Sequence, residues 1–202
     1  MAVIHLVRHA PTPETGSKLT GRLPGVGLAN DGRALARGAA ELLRTPRLGA
    51  VYTSPIQRCR ETAEIVAEPH DRTPQVLTDV QEVDFGKWQG RTLASLRKLK
   101  AWDQVVHHPS RMRFPDGESL LEAQQRAVAA IEGVAADHGR DHVAVCSHAD
   151  IIKAVISHYL GQPLDLFQRI LISPASVSTI HLGKVGGPMV ISRSEEHTAE
   201  LQ

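Results

Sequence analysis

The stretch VAVCSHADIIKAVISHYLG, residues 143–161, decides the fold class of this chain. It begins with a short continuous apolar run, residues 143–147, which is typical of a β-strand buried on both faces of a sheet. Residues 150–160 then repeat apolar side chains at helical spacing, and Gly161 follows where a helix C-terminus is expected. A buried strand followed directly by an amphipathic helix indicates an α/β protein whose helices cover the sheet.

The same alternation of strands and helices extends over most of the chain. The pattern predicts further strands over residues 4–7, 50–53, 76–80, 177–182 and 188–192, with a turn at Gly186 and Gly187 joining the last two. It predicts helices from Asn30 or Asp31 through Arg44, from a Ser54-Pro55 cap onward, and over residues 118–138 before a Gly139 cap. The expected fold is a three-layer sandwich with a mostly parallel central sheet and helices on both faces.

The composition fits one soluble domain and excludes several classes of function. The chain has 202 residues, of which 42% are hydrophobic and 22% charged. Its 23 Lys and Arg residues nearly balance 22 Asp and Glu, so nucleic acid and anionic membranes are not expected partners. Neither a membrane span nor a signal peptide is evident, and Cys59 and Cys146 fit no disulfide framework or zinc site. We therefore expect a cytoplasmic protein.

The domain is expected to cover residues 1–192, with a basic insertion around residues 91–114 that interrupts the alternating pattern. The last ten residues, 193–202, read RSEEHTAELQ and depart from the preceding pattern. They resemble the in-frame translation of a common sequencing adapter apart from Ala199. We predict that this segment is a non-native tail without function.

Charged side chains follow the predicted strands at their carboxyl ends, where α/β proteins bind ligands. Arg8 and His9 follow the first strand, Arg58 the second, Glu82 the third, and His148 the strand that opens the quoted stretch. The planar forks of two arginines match phosphate oxygens, and the start of a helix also favours an anion. The pattern predicts a phosphoryl-binding site at this edge of the sheet.

The nucleophile of such a site is expected to be a histidine. A phosphatase cysteine needs an arginine six residues later, where this chain has Ile65 and Ile152. No two aspartates stand two residues apart, and no GxxxxGK[ST] loop is present. A neutral imidazole can accept a phosphoryl group, and Glu82 can protonate the leaving group and then activate water. Glu118 and Asp84 are alternative carboxylates for that role.

Five segments in order resemble one known family. They are LVRHAPT (residues 6–12), SPIQRCRETA (54–63), QEVDFGKWQG (81–90), FPDGES (114–119) and CSHADIIKA (146–154). Together they resemble the histidine phosphatase superfamily, which has the phosphoglycerate-mutase-like fold. The resemblance implies an enzyme that needs neither metal nor cofactor and that acts on a small phosphorylated metabolite through a phosphohistidine.

The resemblance also implies a role for each matching residue. His9 would be the phosphorylated nucleophile. Arg8, Arg58 and His148 would bind the phosphoryl group and stabilise its charge during transfer. Glu82 would be the proton donor.

Four further positions are candidates at the margin of the site. Thr15 stands where relatives often have an asparagine that touches phosphate, and Arg22 lies in a loop similar to the family's loop near the mouth. Ala149 and Ala10 stand where relatives commonly have glycine, so each adds a methyl group beside a histidine. We expect Thr15, Arg22 and Ala149 to contribute to substrate or phosphate binding.

Several alternatives stay open at this stage. A phosphomonoesterase is the first hypothesis, a phosphomutase the second, and a non-catalytic phospho-ligand binder the third. The basic insertion is either a solvated helix face or a lid that attracts anionic substrates. His107 and His108 are expected to be loop residues rather than a metal pair, and a homodimer is one open assembly.

Overall fold

The computed structural model describes residues 2–183 and 187–196. Within these residues one sheet contains six strands: β1 (Ala2–Arg8), β2 (Leu48–Thr53), β3 (Gln75–Val76), β4 (His142–Ser147), β5 (Val177–Leu182) and β6 (Pro188–Glu195). The strand order is β3-β2-β4-β1-β5-β6. Strands β3, β2, β4 and β1 run parallel to one another, whereas β5 is antiparallel to β1 and β6 is antiparallel to β5. The mostly parallel central sheet is therefore confirmed.

Helices cover both faces of this sheet, as expected. The same described residues contain α1 (Asn30–Leu42), α2 (Gln57–Ala67), α3 (Leu93–Leu96), α4 (Trp102–His107), α5 (Leu120–His138) and α6 (Ala149–Tyr159). Strand β4 shows why two layers form, because its buried side chains alternate between two hydrophobic clusters. Val143 and Val145 join the cluster that includes α5 and α6, whereas Ala144 and Cys146 join the one that includes α1 and α2.

The longest helix, α5, begins and ends at residues with clear local causes. The Ser119 side chain accepts from the backbone N–H of Glu122, and the Glu122 carboxylate accepts from the backbone N–H of Ser119. At the other end Gly139 has a φ of 56°, which a residue with a side chain rarely adopts. The predicted start at residue 118 is two residues early because residues 118 and 119 form the cap.

Two predicted elements differ from the structure. Helix α2 starts at Gln57, with Ile56 in extended conformation at the N-cap position, rather than directly after Ser54. The Ser54 hydroxyl accepts from the backbone N–H of Ile56 at 3.3 Å and also bonds the buried His148 ring at 2.9 Å. The strand predicted over residues 76–80 is wrong: β3 contains only Gln75 and Val76, and a 3₁₀ turn, Thr78–Val80, follows. This segment turns away because β3 pairs with only the last two residues of β2.

The basic insertion forms a layer at one end of the sheet. It contains α3 and α4, and a 3₁₀ turn, Pro109–Arg111, leads back toward α5. Its Trp102 ring stacks on Trp88 with centroids 6.1 Å apart and an interplanar angle of 21°. The segment is therefore packed onto the domain, and its Leu93 and Trp102 line a cavity with Asp150, which lies just after the carboxyl end of β4.

The structure describes only some of the residues in the predicted C-terminal turn and tail. Gly186, in the predicted turn, and residues 197–202 of the predicted tail lie outside the described residues. Residues as far as Glu195 lie in β6, at the edge of the sheet, and the backbone N–H of Ser194 donates to the Ser178 hydroxyl. None of the helices in residues 2–183 and 187–196 has the length and hydropathy needed to cross a bilayer.

Replacing Ser119 with alanine should lower the free energy of unfolding by about 1 kcal/mol, because the cap of α5 loses its acceptor. Urea denaturation of Ser119→Ala measures the loss. Ser119→Asn, which keeps an acceptor at this position, should stay within a few tenths of a kcal/mol of the original protein. Equal destabilisation by alanine and asparagine would show that the cap is not what Ser119 supplies.

Candidate active site

The imidazole of His9 is held in one tautomer at the end of β1. Its Nδ1 donates to the carbonyl oxygen of Ala10 at 2.8 Å, which places the proton on that nitrogen. The Nε of Arg58 donates to His9 Nε2 at 3.2 Å, so Nε2 acts as an acceptor. The backbone N–H of Ala10 in turn donates to the hydroxyl of Thr62, which fixes the carbonyl that orients the ring. The available lone pair is therefore on Nε2.

His9 is neutral at ordinary pH for a physical reason. Burial, followed by the positive charge of Arg58, lowers the pKa of His9 from 6.5 to about 3, and Arg8 acts in the same direction. The bond to the Ala10 carbonyl opposes this shift. An unprotonated ring keeps a lone pair on Nε2, which accepts from Arg58 in this structure and can attack an electrophile once that hydrogen bond is exchanged.

The Arg58 guanidinium is almost fully buried beside this histidine. Its Nη2 donates to the carbonyl oxygen of Gly21 at 2.8 Å and to Nδ1 of His148 at 3.1 Å. Its Nη1 is buried without a hydrogen-bond partner among the described residues. A buried cationic donor with no acceptor is unfavourable unless an anion completes the site.

Arg8 presents a second donor of the same kind. Its Nη1 donates to the carbonyl oxygen of Ile172 at 2.6 Å. Its backbone N–H donates to the carbonyl oxygen of Ser176 at 3.1 Å. Its Nε is buried without an acceptor in the described part of the chain. Burial lowers the pKa of Arg8, and the charges of Glu82 and Asp150 oppose that effect.

His148 is completely buried at the inner end of the site, where β4 passes into α6. Its ring stands edge-on to that of His9, with centroids 5.3 Å apart. Because Nδ1 accepts from Arg58, Nε2 carries the proton and donates to the Ser54 hydroxyl at 2.9 Å. Burial and then the charge of Arg58 keep the pKa of His148 well below 6.5.

Glu82 supplies a carboxyl group that holds its proton near neutrality. Burial, followed by repulsion from Asp150, raises its pKa from 4.5 to about 7, although Arg58 opposes the shift. One carboxyl oxygen accepts from the backbone N–H of Val83 at 3.0 Å, and the other lies 3.8 Å from His148 Nδ1. A group that titrates near pH 7 suits proton donation followed by proton acceptance.

Two arginines clamp the backbone of Glu82. Arg22 Nε and Arg126 Nη2 both donate to the Glu82 carbonyl oxygen, at 2.8 and 3.2 Å. The Glu118 carboxylate accepts from both of these arginines, at 2.9 Å from Arg22 and 2.6 Å from Arg126. The structure therefore places Glu118 and Asp84, the alternative carboxylates, with these arginines and not on the His9 cavity.

Arg22 does not occupy the place that the sequence predicted for it. Its guanidinium points to Glu82, Asp84 and Glu118, and its side chain lines a separate groove beside Arg60. The residue shares a loop with Gly21, whose carbonyl does reach the site through Arg58. The loop thus contributes a backbone acceptor, while Arg22 positions Glu82 and is not brought onto the cavity.

A cavity of about 230 Å³ brings four of the predicted catalytic groups together, whereas His148 contacts Arg58 and is not among the residues that line it. Arg8, His9, Arg58 and Glu82 line it, together with the predicted Thr15 and Ala149 and with Asp150, Lys18 and Thr20, which the sequence analysis missed. The Thr15 hydroxyl accepts from the backbone N–H of Thr12 at 2.9 Å, so it belongs to the loop that forms the mouth. Asp150 lies two residues after His148, in the first turn of α6. Its place at the start of this helix was the one sequence feature that could have indicated a position at the site.

No group of three or more His, Cys, Asp or Glu side chains in the described ranges has the arrangement of a metal site. His107 donates or accepts only with Asp103, four residues earlier on α4, at 2.9 Å. Cys59 and Cys146 are buried free thiols, and burial raises the pKa of Cys59 to about 12, which makes it a poor nucleophile.

The fold and this set of groups define a class, the enzymes that transfer phosphoryl groups through a histidine. The family model described as "Histidine phosphatase superfamily (branch 1)" matches residues 4–192. The chain belongs to this superfamily, so the resemblance found in the five segments is confirmed.

Relatives and solved structures agree with that assignment over nearly the whole chain. Phosphoserine phosphatase 1 of Hydrogenobacter thermophilus is 29% identical over 187 residues, which cover 90% of this chain and 87% of that protein. Probable phosphoglycerate mutase GpmB of Klebsiella pneumoniae is 27% identical over 182 residues, 89% of this chain and 85% of that protein. The structure of Bacillus stearothermophilus YhfR matches with a TM-score of 0.86 at 26% identity, covering 96% of this chain and 98% of that one.

The two unpartnered donors on Arg8 and Arg58 predict an anion site that can be measured without turnover. Inorganic phosphate should raise the melting temperature, and Arg58→Lys should weaken phosphate binding by roughly 10- to 100-fold because a forked, charged hydrogen bond is lost. Thermal shift against phosphate concentration gives both values.

Arg60→Lys is the matched control for this experiment, because Arg60 is exposed on the same helix and does not line the cavity. It should bind phosphate as the original protein does. Undiminished phosphate binding in Arg58→Lys would mean that the buried guanidinium does not face the anion.

Proposed function

We propose that this protein is a phosphomonoesterase that hydrolyses a small phosphorylated metabolite through a phosphohistidine at Nε2 of His9. The observation that carries the proposal is the neutral His9 ring, whose Nε2 lone pair lies beside Arg58, together with one buried, unpartnered N–H donor on each of Arg58 and Arg8. The similarity to a phosphoserine phosphatase over 90% of the chain supports the same reaction class.

In the first step His9 Nε2 attacks the phosphorus atom, and the bond from phosphorus to the ester oxygen breaks. The ester oxygen takes the bonding electron pair and receives the proton of the Glu82 carboxyl group. Arg8 and Arg58 meet the charge that spreads over the three remaining phosphoryl oxygens. We propose that His148 supports this set as a positioning residue, because its ring stands against that of His9 and its Nδ1 accepts from Arg58.

In the second step water attacks the phosphohistidine. The Glu82 carboxylate, now without its proton, accepts a proton from this water as the new oxygen–phosphorus bond forms. The nitrogen–phosphorus bond breaks, its electron pair returns to Nε2, and inorganic phosphate leaves. His9 and Glu82 then have the protonation states with which they began, so the cycle needs no further reactant.

The proposal assigns no step to a metal or a cofactor, and its partner is the small phosphorylated substrate. Thr15 and Ala149, at the cavity, are proposed to contact the phosphoryl group or the substrate. The balanced charge of the chain supports neither nucleic acid nor membrane as a partner. The two buried free thiols support a reducing, cytoplasmic location.

A phosphomutase is the second candidate, and the similarity to probable phosphoglycerate mutase GpmB over 89% of the chain favours it. Both reactions pass through the same phosphohistidine and differ only in the acceptor of the second step. A mutase returns the phosphoryl group to a hydroxyl of the product, whereas a phosphatase releases it to water. Measuring free phosphate against isomerised ester separates the two.

Hydrolysis of an aryl phosphate in excess EDTA should persist in the original protein and fall by at least about 10³-fold in His9→Asn, which lacks the nucleophilic nitrogen. Release of the phenol gives the rate. His107→Asn is the matched control, since His107 is exposed on α4 and bonded to Asp103. Activity that survives in His9→Asn would assign the nucleophile to another residue.

The role of Glu82 predicts a pH profile and a dependence on the leaving group. Because its pKa is about 7, kcat/KM should fall above that pH as the proton needed by the leaving group is lost. Glu82→Gln should remove this basic limb and reduce turnover of an alkyl phosphate by about 10²–10⁴-fold, with a smaller loss for an aryl phosphate whose leaving group needs less protonation.

Asp84→Asn is the control, because Asp84 is a nearby carboxylate that is bound to Arg22 and does not line the cavity. It should keep the profile and the leaving-group dependence of the original protein. A basic limb that is unchanged in Glu82→Gln would assign the proton donor elsewhere.

A further inference from the structure

A second, larger cavity lies next to the proposed phosphoryl site. It has a volume of about 560 Å³, against about 230 Å³ for the cavity at His9. Leu19, Phe85, Leu93 and Asp150 line both cavities, so the two lie side by side and share these side chains. The volume falls within the range of roughly 300–1,000 Å³ that is usual for small-molecule sites.

The walls of this second compartment are mainly aromatic and aliphatic. Phe114 and Phe167 form its buried floor, and Phe85 packs edge-on to Phe114 with ring centroids 4.9 Å apart. Trp102 and Val106, both on α4, form its outer side. The basic insertion therefore contributes apolar side chains to the space beside the site.

The charged groups of the compartment do not make it a polar pocket. The Lys153 ammonium lies 3.4 Å from Asp150 Oδ1, 3.2 Å from Gln168 Oε1 and 5.6 Å from the centre of the Phe167 ring. Its charge is therefore already met within the protein. Arg97 is exposed on the rim, and Arg113 is bound to Glu122 and to the Gly117 carbonyl away from the cavity.

We propose that this compartment binds the leaving group of the substrate and selects phosphomonoesters with an apolar, ring-sized or short-chain hydrocarbon body. The inference rests on the proposed function, because it takes the ester oxygen to lie at the shared wall of Leu19, Phe85, Leu93 and Asp150. From that wall the phosphoryl group faces His9, and the rest of the ester has the aromatic-lined space to fill. Trp102, Leu93 and Val106 are thereby specificity-determining residues.

Alkylphosphonates test the compartment without turnover, because their carbon–phosphorus bond is not an ester bond. Ethylphosphonate and hexylphosphonate share a head group and differ by four methylenes. Each methylene moved out of water favours binding by roughly fourfold, so hexylphosphonate should bind at least about tenfold more tightly than ethylphosphonate. The fluorescence of Trp88 and Trp102, the only two tryptophans, reports binding.

Two variants locate the effect. Leu93→Ser and Val106→Ser should each reduce the hexyl-to-ethyl ratio of affinities by at least about threefold, since a polar group replaces part of the apolar wall. Val106 is 40% exposed, so its replacement leaves the core intact. Leu35→Ser is the matched control: Leu35 is 47% exposed on α1 and lines neither compartment, and the ratio should not change.

The outcomes separate this proposal from the proposed function. Equal affinity for the two phosphonates, or a ratio unchanged in both wall variants, overturns the compartment as the leaving-group site even if phosphate esters are hydrolysed. If hexylphosphonate binds more tightly than ethylphosphonate and the wall variants lower that ratio, the compartment is supported as the leaving-group site. This holds even if the corresponding alkyl phosphates are not turned over. In that second case the hydrolytic function fails and the binding assignment stands.

Discussion

The chemistry proposed for this protein depends on keeping one imidazole neutral and oriented beside two arginines, the buried Arg58 and the half-buried Arg8. A histidine in water would be partly protonated near neutral pH, and a protonated ring has no lone pair to give. Burial and the charges of Arg58 and Arg8 suppress protonation of His9, while the bond from Nδ1 to the Ala10 carbonyl leaves the lone pair on Nε2. The same arginines that prevent protonation have buried donors without acceptors, so one arrangement prepares both the proposed nucleophile and the proposed phosphoryl-binding site.

The sheet topology produces this arrangement from distant parts of the chain. Strands β1 and β4 are parallel neighbours with Arg8 opposite Ser147, so His9 and His148 leave adjacent strands at the same edge. Strand β2 lies on the other side of β4, and α2, which follows it, delivers Arg58 between the two histidines. In parallel strands all carboxyl ends meet at one edge, which explains why residues far apart in sequence share one cavity.

The sequence predicts those parts of the molecule that depend on local periodicity or on strand ends. The buried run before His148 and the long helix that ends before Gly139 have strong local signals, and the structure follows them within two residues. The predicted extent of the third strand is wrong because the length of β3 is set by its pairing with β2. A short window of sequence around β3 does not include that partner strand. The position of Arg22 was misjudged because its partner Glu118 lies in a loop that only the fold brings near it. Asp150 was missed for the same reason, because it acts on Glu82, which also lies in a distant loop.

The most direct test of the account is to trap the covalent intermediate and identify the atom that carries it. Glu82→Gln mixed briefly with an activated aryl phosphate should accumulate phosphoprotein, because the first step needs little proton donation while the attack of water loses its base. Quenching in alkali preserves a phosphorus–nitrogen bond, and peptide mass spectrometry with ³¹P NMR locates the group. We expect phosphate on Nε2 of His9. Phosphate on another residue or on Nδ1, or product formed with no phosphoprotein at any time, would contradict it.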